Sequence, residues 1–382
     1  MNKDITNEIE EQEIENWEEE NNSTSDKTTP SKDLKSIRVI RTNQDYNLDN
    51  LMRSVNDNIN LGPEYQRRSR WNITQKSRLI ESFLMNIPVP SIFLYENDLY
   101  EYEVIDGRQR LETLQAFFNN KFKLKNLEFL HDLEGLRFKD FDRDSIRSLY
   151  RRTVTATILL VESETFDKYD LRMVLFNRLN TGGVKLNGQE LRNAIYSGNF
   201  NTLISELSNN KYFKELWGIP DSSDGDKFKT NSLYKTMMDC ELVLRFFGIK
   251  NVYESKVEGS MKVILDETMK QNLSASEDQI NDLRRDFEES VEGLVTNIGI
   301  EAIINTKLKY PQRARNLYDS MLVAYSIVEM DKILDGSNVI QNLNSVLDDK
   351  EFYDKIITKG NSVENIIFRV DKAIEILTQI LY

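Results

Sequence analysis

Between Ser36 and Val161 short β-branched runs alternate with amphipathic helical patterns, and beyond Glu164 the pattern is helical almost throughout. This change of period constrains the fold more than any other feature. A strand shows every second side chain to one face, whereas a helix shows a stripe at i, i+3, i+4. The early part reads as a strand at Ile37–Ile40, then a helical stripe at Leu48, Leu51, Met52 and Val55. A second helix fits Thr74–Met85 with Thr74 as a candidate N-cap, and Pro88 and Pro90 stop it. Strands at Ser91–Tyr95 and Tyr100–Ile105 flank the polar Glu96-Asn97-Asp98 and read as a hairpin. A helix with Leu111, Leu114, Phe117 and Phe118 on one face follows, then a strand at Thr153–Val161. The later part predicts helices at Asp167–Leu179, Ser232–Phe247, Glu277–Asn297, Asn316–Met330 and Val363–Leu381. With 382 residues, two packed cores are expected. The expected class is therefore α+β: a small mixed α/β domain over residues 36–165, followed by an all-α helical domain over residues 166–382.

Charge is unevenly distributed. Of the net charge of −13, residues 1–34 supply −8 from eleven acids and three lysines, leaving −5 for the rest. That acidity, together with NNSTSDKTTPSKD, buries too little apolar surface to offset the entropy of ordering, so residues 1–35 read as a disordered acidic tail. A mildly acidic chain is a poor match to a broad, non-specific grip on DNA phosphates. No apolar run approaches a membrane span, and the amino terminus has no secretory pattern, so a cytoplasmic protein is expected.

The rarest residues exclude several chemistries. One cysteine, Cys240, can form neither an internal disulfide nor a cysteine-rich zinc site, and reads as a small buried hydrophobe. One histidine, His131, cannot furnish an HNH-type nuclease centre, and it reads as structural or solvated.

The segment YEVIDGRQRLETLQAFF, residues 102–118, joins a strand to a helix through a carboxylate, a glycine and two arginines. Gly107 allows a tight turn with positive φ, and the first helical turn presents unpaired N–H groups that attract anions. Arg108 and Arg110 add permanently charged donors matched to phosphate oxygens. Asp106 could hold a magnesium ion or orient water, and Gln109 could position a nucleophile. Two bland alternatives stand beside this: Asp106 as a helix N-cap, and Arg108 with Glu112 as an i, i+4 surface pair. Tyr65-Gln66-Arg67-Arg68-Ser69-Arg70-Trp71 sets arginines between aromatics, suited to phosphates and bases, or to a solvated turn anchored by Trp71. Asn180-Thr181-Gly182-Gly183 is either a second edge of a nucleotide pocket or a helix C-cap. Lys121, Lys123 and Lys125 alternate as on a strand, as a DNA edge or a charged edge strand.

DGRQR after a strand resembles the Asp-Gly-Gln-Gln-Arg motif of the GmrSD-type restriction endonuclease N-terminal domain family, which has a ParB/sulfiredoxin-like fold. Residues 62–96, 176–196, 237–248 and 259–269 resemble further family segments in order, so the likeness runs over roughly residues 45–330. Arg108 stands where the family usually has glutamine. The resemblance implies a module that binds a nucleoside triphosphate with Mg2+. In it Asp106, Gln109 and Arg110 are catalytic, and Asp106 is the metal ligand. Gly107, Arg108, Arg110, Asn180, Thr181 and Gly182 hold the nucleotide. Tyr65, Gln66, Arg67, Arg70 and Trp71 sense DNA or substrate. Sulfiredoxin-like chemistry is disfavoured, because the loop carries no cysteine. Family members often carry a second, HNH-type domain, so the resemblance and the single histidine together imply a separate nuclease subunit acting on DNA, modified DNA included. A homo-oligomer is a further possibility. The competing readings are a non-catalytic sensor of nucleotide or DNA phosphates, and a metal-dependent ParB-like nuclease.

Overall fold

The computed structural model describes residues 39–61, 71–161, 165–166, 169–170, 175, 178–179, 187–255, 259–358 and 360–378. They form two compact units, one within residues 28–186 and one within residues 187–382. The sequence reading of residues 1–35 as a disordered tail falls outside the described residues.

The first unit is built on a five-stranded sheet: β1 (Val39–Asn47), β2 (Ile59–Asn60), β3 (Ile92–Asp98), β4 (Glu101–Asp106) and β5 (Thr153–Val161). Their order is β1-β5-β3-β4-β2. β1 pairs antiparallel with β5 from Val39↔Val161 to Asn47↔Thr153, β5 runs parallel to β3, β3 antiparallel to β4, and β4 parallel to β2. The two-residue period puts Ile92, Leu94, Tyr102, Val104, Val154, Ala156 and Ile158 into one core. Helices α1 (Leu48–Asp57), α2 (Ile73–Leu84), α3 (Arg108–Phe118) and α4 (Arg143–Tyr150) supply its other side, with Leu48, Leu51, Ile80, Leu111, Leu114, Phe117 and Leu149 almost fully buried.

Several local expectations are corrected. α2 is capped by Asn72, not Thr74: Asn72 Oδ1 accepts from Gln75 N at 3.0 Å and Gln75 Oε1 accepts from Asn72 N at 3.0 Å, a reciprocal capping box. The hairpin does not turn at Glu96-Asn97-Asp98. Those residues stay in β3 through a bulge between Glu96 and Asp98, and Asn97 Nδ2 donates to Glu103 Oε1 at 2.8 Å. The reversal falls at Leu99-Tyr100, where Tyr100 takes φ +62°. Lys121, Lys123 and Lys125 are exposed but lie on no strand. Leu124 exchanges backbone bonds with Leu136 and Gly135, and Lys125 N donates to Ser77 Oγ. Within Asp167–Leu179, Tyr169–Asp170 form a short antiparallel ladder (β7) with Thr165–Phe166 (β6), and helix is described only at Leu175, Arg178 and Leu179.

The second unit is helical: α5 (Gly188–Ile195), α6 (Asn199–Leu207), α7 (Lys211–Trp217), α8 (Met238–Ser255), α9 (Met261–Gln271), α10 (Glu277–Asn297), α11 (Arg315–Ile327), α12 (Gly336–Asp348) and α13 (Val363–Thr378), with shorter turns between them. The helix expected over Ser232–Phe247 is broken. A short turn ends at Lys235, Met237 takes φ +59°, and α8 starts at Met238. Among the described residues of this unit, the expected all-α character is interrupted by a two-residue hairpin of β8 (Ile304–Asn305) and β9 (Gln312–Arg313). α8 packs against α5, α6, α9, α11 and α13 and is buried on nearly every side, including its charged Asp239, Glu241 and Arg245.

Buried charge needs compensation at close range. Arg245 Nε donates to both carboxylate oxygens of Asp319, at 3.0 and 3.1 Å, and its Nη2 bonds Asp319 as well. Arg192 on α5 bridges Glu241 at 3.1 Å and Asp266 at 2.7 Å. Cys240 is fully buried, as the sequence led us to expect.

Candidate functional site

β4 delivers Asp106 to the edge of the core, and the chain turns into α3 through Gly107. Gly107 has φ +98° and ψ 4°, and a Cβ there would stand 2.5 Å from Ile92 Cγ2. Both conformation and space therefore demand glycine. The close approach it permits is to Ile92, which seats α3 tightly against β3. Among the described residues no side chain caps α3. The first turn of a helix is in general where N–H groups lack intrahelical acceptors and attract anions.

Asp106 does not cap the helix. Its Oδ2 accepts from Arg110 Nη2 at 2.5 Å, one helical turn on. Arg110 Nη1 also donates to the carbonyl oxygens of Pro90 and Ser91, the latter at 3.1 Å. Only 12% of the Arg110 side chain is exposed. It thus ties the loop to the entry of β3. α2 itself ends at Leu84, before Pro88 and Pro90, with Asn86 at φ +61°.

Arg108 points elsewhere. Its Nε donates to Glu112 Oε1 at 2.5 Å, and its side chain is 6% exposed. The i, i+4 pair read from the sequence is present, but as a buried arginine and not a surface pair. Gln109 is half-buried, and its carbonyl accepts from Thr113 Oγ1 at 2.7 Å.

Arg108, Glu112, Gln115, Ala116 and Asn119 share one stripe of α3 and line a cleft of about 850 Å3. The opposite wall is the end of α1, β2 and Leu61. Both sides of the cleft carry carboxamides: Asn56, Asn58, Asn60 and Asn97, with Gln115 and Asn119 on the α3 side. Gln115 Nε2 donates to Asn56 Oδ1 at 3.3 Å, while Asn58 Oδ1 is buried without a hydrogen-bond partner among the described residues. Lys76, Lys121 and Arg108 stand against Asp57, Glu101, Glu103 and Glu112, so the cleft is polar but not strongly charged. The volume is ample for a nucleotide-sized ligand.

Residues 48–197 match the family profile described as GmrSD restriction endonuclease, N-terminal domain. They form a GmrSD-type domain. No curated protein and no solved structure matches the chain. The match is shorter than the stretch of roughly residues 45–330 read from the sequence, so the segments at 237–248 and 259–269 lie beyond it.

Within the GmrSD-type domain, Asp106 to Arg110 are all described, and they divide into an Asp106–Arg110 lock against β3 and an Arg108–Glu112 pair on the cleft. Trp71 is half-buried and packs on the α/β core. Tyr65, Gln66, Arg67 and Arg70 lie outside the described residues, as do Asn180, Thr181 and Gly182. Leu61, the last described residue before that first segment, lines the cleft. His131 is exposed on a short 3-10 turn. Among the described residues no group of three or more His, Cys, Asp or Glu could hold a metal ion, and no helix is long and apolar enough to cross a membrane. A magnesium ion at Asp106 would thus need ligand phosphates and water to complete its shell, which is how Mg2+ commonly binds. The sequence reading missed the cleft, because its walls come from segments up to 66 positions apart, from Val55 to Lys121.

Proposed function

We propose that the GmrSD-type domain binds a nucleoside triphosphate at Asp106–Arg110 and works as the nucleotide-responsive module of a DNA-restriction system, the cut being made by a separate HNH-type nuclease subunit. The observation that carries this reading is the uncapped start of α3 beside a large polar cleft, with Gly107 at the turn and Arg108 on the cleft wall. Phosphates would take the N–H groups of the first turn, and Arg108 would supply charge from the side. Gln109, half-buried at the same turn, would orient water. Mg2+, held by Asp106 together with phosphate oxygens, would neutralise charge on the phosphates. The ParB/sulfiredoxin-like character of the unit belongs to this same reading.

The direct test is nucleotide binding and phosphate release by the full chain, alone and with duplex DNA, compared with Asp106→Ala and Gln109→Ala. Loss of binding or release in these variants is expected. Absence of binding to every common triphosphate would overturn the reading. A sensor that binds without turnover is the second reading, favoured by the Asp106–Arg110 lock, which already engages the carboxylate. Binding unaccompanied by phosphate release selects it. A metal-dependent ParB-like nuclease is tested by nicking with Mg2+ or Mn2+.

A further inference from the structure

The helical unit is acidic, with 31 Asp and Glu against 23 Lys and Arg over residues 187–382. From Ala302 to Tyr318, however, there is no acidic residue, and Lys307, Lys309, Arg313 and Arg315 all fall in that stretch. Its centre is the β8–β9 hairpin, paired at Ile304↔Arg313 and Asn305↔Gln312, whose loop 306–311 is exposed at every residue. Leu308 and Tyr310 sit in this loop at 39% and 60% exposure, so neither is used to build the core.

The base of the hairpin is firmly held. Asn305 Nδ2 donates to Tyr353 Oη at 3.0 Å, and Thr306 Oγ1 lies 2.8 Å from Asn344 Oδ1 on α12. Arg313 Nε donates to Leu216 O at 2.7 Å, and Arg315 is buried, so these two arginines shape the hairpin from inside. Lys307 and Lys309 are left on the solvent side with Tyr310, and Lys309 Nζ stands 5.4 Å from the Tyr310 ring centroid. Lys307 pairs with Asp348, which is 71% exposed; a pair of this kind is weak and exchanges readily for a phosphate.

We infer that the loop 306–311 is a DNA-contacting element, in which Lys307 and Lys309 meet backbone phosphates and Tyr310 lies against a sugar or base face. Basic side chains interleaved with an exposed aromatic ring match that ligand in both charge and surface. A rigid base and a protruding tip also limit the entropy lost on binding. The inference rests on the chain's place in DNA restriction, but not on any role of the Asp106 loop.

The test is fluorescence anisotropy of a labelled 20-base-pair duplex with the full chain, titrated over a range of NaCl concentrations. Each lost phosphate contact removes about 0.9 from the slope of log affinity against log salt, so Lys307→Ala with Lys309→Ala should make the slope shallower by about 1.8. Tyr310→Ala should weaken binding with the slope unchanged. Lys270→Ala, at an exposed helix position elsewhere in the unit, should leave both as they are. Circular dichroism confirms that each variant is folded. A double variant with the wild-type slope, or a Lys270→Ala effect as large as that of either hairpin lysine, overturns the inference. If the wild type binds no duplex at any salt, DNA engagement by this chain fails altogether, which is a different result from binding that ignores the hairpin.

Discussion

Gly107 lies so close to Ile92 that a Cβ added to it would stand 2.5 Å from Ile92 Cγ2, at a backbone φ of +98°. Gly107→Ala therefore meets a conformational penalty and a steric one together. It is expected to lower stability by about 2–4 kcal/mol, summing a left-handed backbone cost with overpacking. Gly135→Ala, at φ +83° with nothing within 4 Å of the added Cβ, should cost only the backbone part, about 1–2 kcal/mol. Urea unfolding of the two variants checks the difference; equal losses would mean that Ile92 yields freely.

Arg110 joins Asp106 to the carbonyls of Pro90 and Ser91, so its removal frees more than one contact. Arg110→Ala is expected to cost about 1–3 kcal/mol and to cost more than Asp106→Ala. In a double-mutant cycle the two losses should be clearly non-additive, because each removes the same bond. Additive losses would argue that the pair is not formed in solution.

Glu81 should make the α/β unit sensitive to acid. Its nearly buried carboxylate would be pushed up by desolvation, but N–H groups of Glu128, Phe129 and Leu130 donate to it, and His131 lies nearby. The net effect holds it below the ordinary glutamate value of 4.5. A depressed carboxyl stabilises the fold fully above its unfolded value and loses that contribution as pH falls through the folded one. Thermal unfolding temperature should therefore drop as pH is lowered below about 4.5. Glu81→Gln should be less stable at pH 7 and show a flatter acid limb. An unchanged limb would remove Glu81 from the account.

In the helical unit, the fully buried Arg245 is held by Asp319 through three hydrogen bonds. Arg245→Leu alone strands a carboxylate in the core and should cost about 3–5 kcal/mol. Adding Asp319→Leu should recover much of that loss, since a well-packed apolar pair often replaces a buried ion pair at little cost. Denaturant midpoints of the single and double variants decide it. A double variant no better than the single would show that the pair does more than satisfy itself.

Periodic burial was the part of the fold most legible in the sequence. The strand Thr153–Val161 and the helix Glu277–Asn297 have the bounds that the β-branched run of the one and the apolar stripe of the other implied. Local polar chemistry misled the reading at Glu96-Asn97-Asp98, where side-chain bonds keep a turn-like tripeptide inside a strand. It misled again at Ser232–Phe247, where apolar spacing continues across a break at Met237. The DGRQR segment was legible as a strand, a glycine turn and a helix start. Its internal wiring was not, since the acceptors of Arg110 lie 19 and 20 residues upstream. The buried arginines of the helical unit were hidden for a similar reason: nothing local to Arg192 or Arg245 announces Asp266 or Asp319, each 74 positions away.

The family match ends at Ser197, two residues beyond α5, whereas α5 belongs to the helical unit. Arg192 on α5 is neutralised by Glu241 and Asp266, which lie well past that end. What is shared by descent and what is held together mechanically thus have different borders. A fragment trimmed to the shared stretch would carry a guanidinium evolved for a dry interior and leave both of its counter-ions behind. Dissection of this chain will succeed at seams in its packing, and inheritance alone is a poor guide to where those seams run.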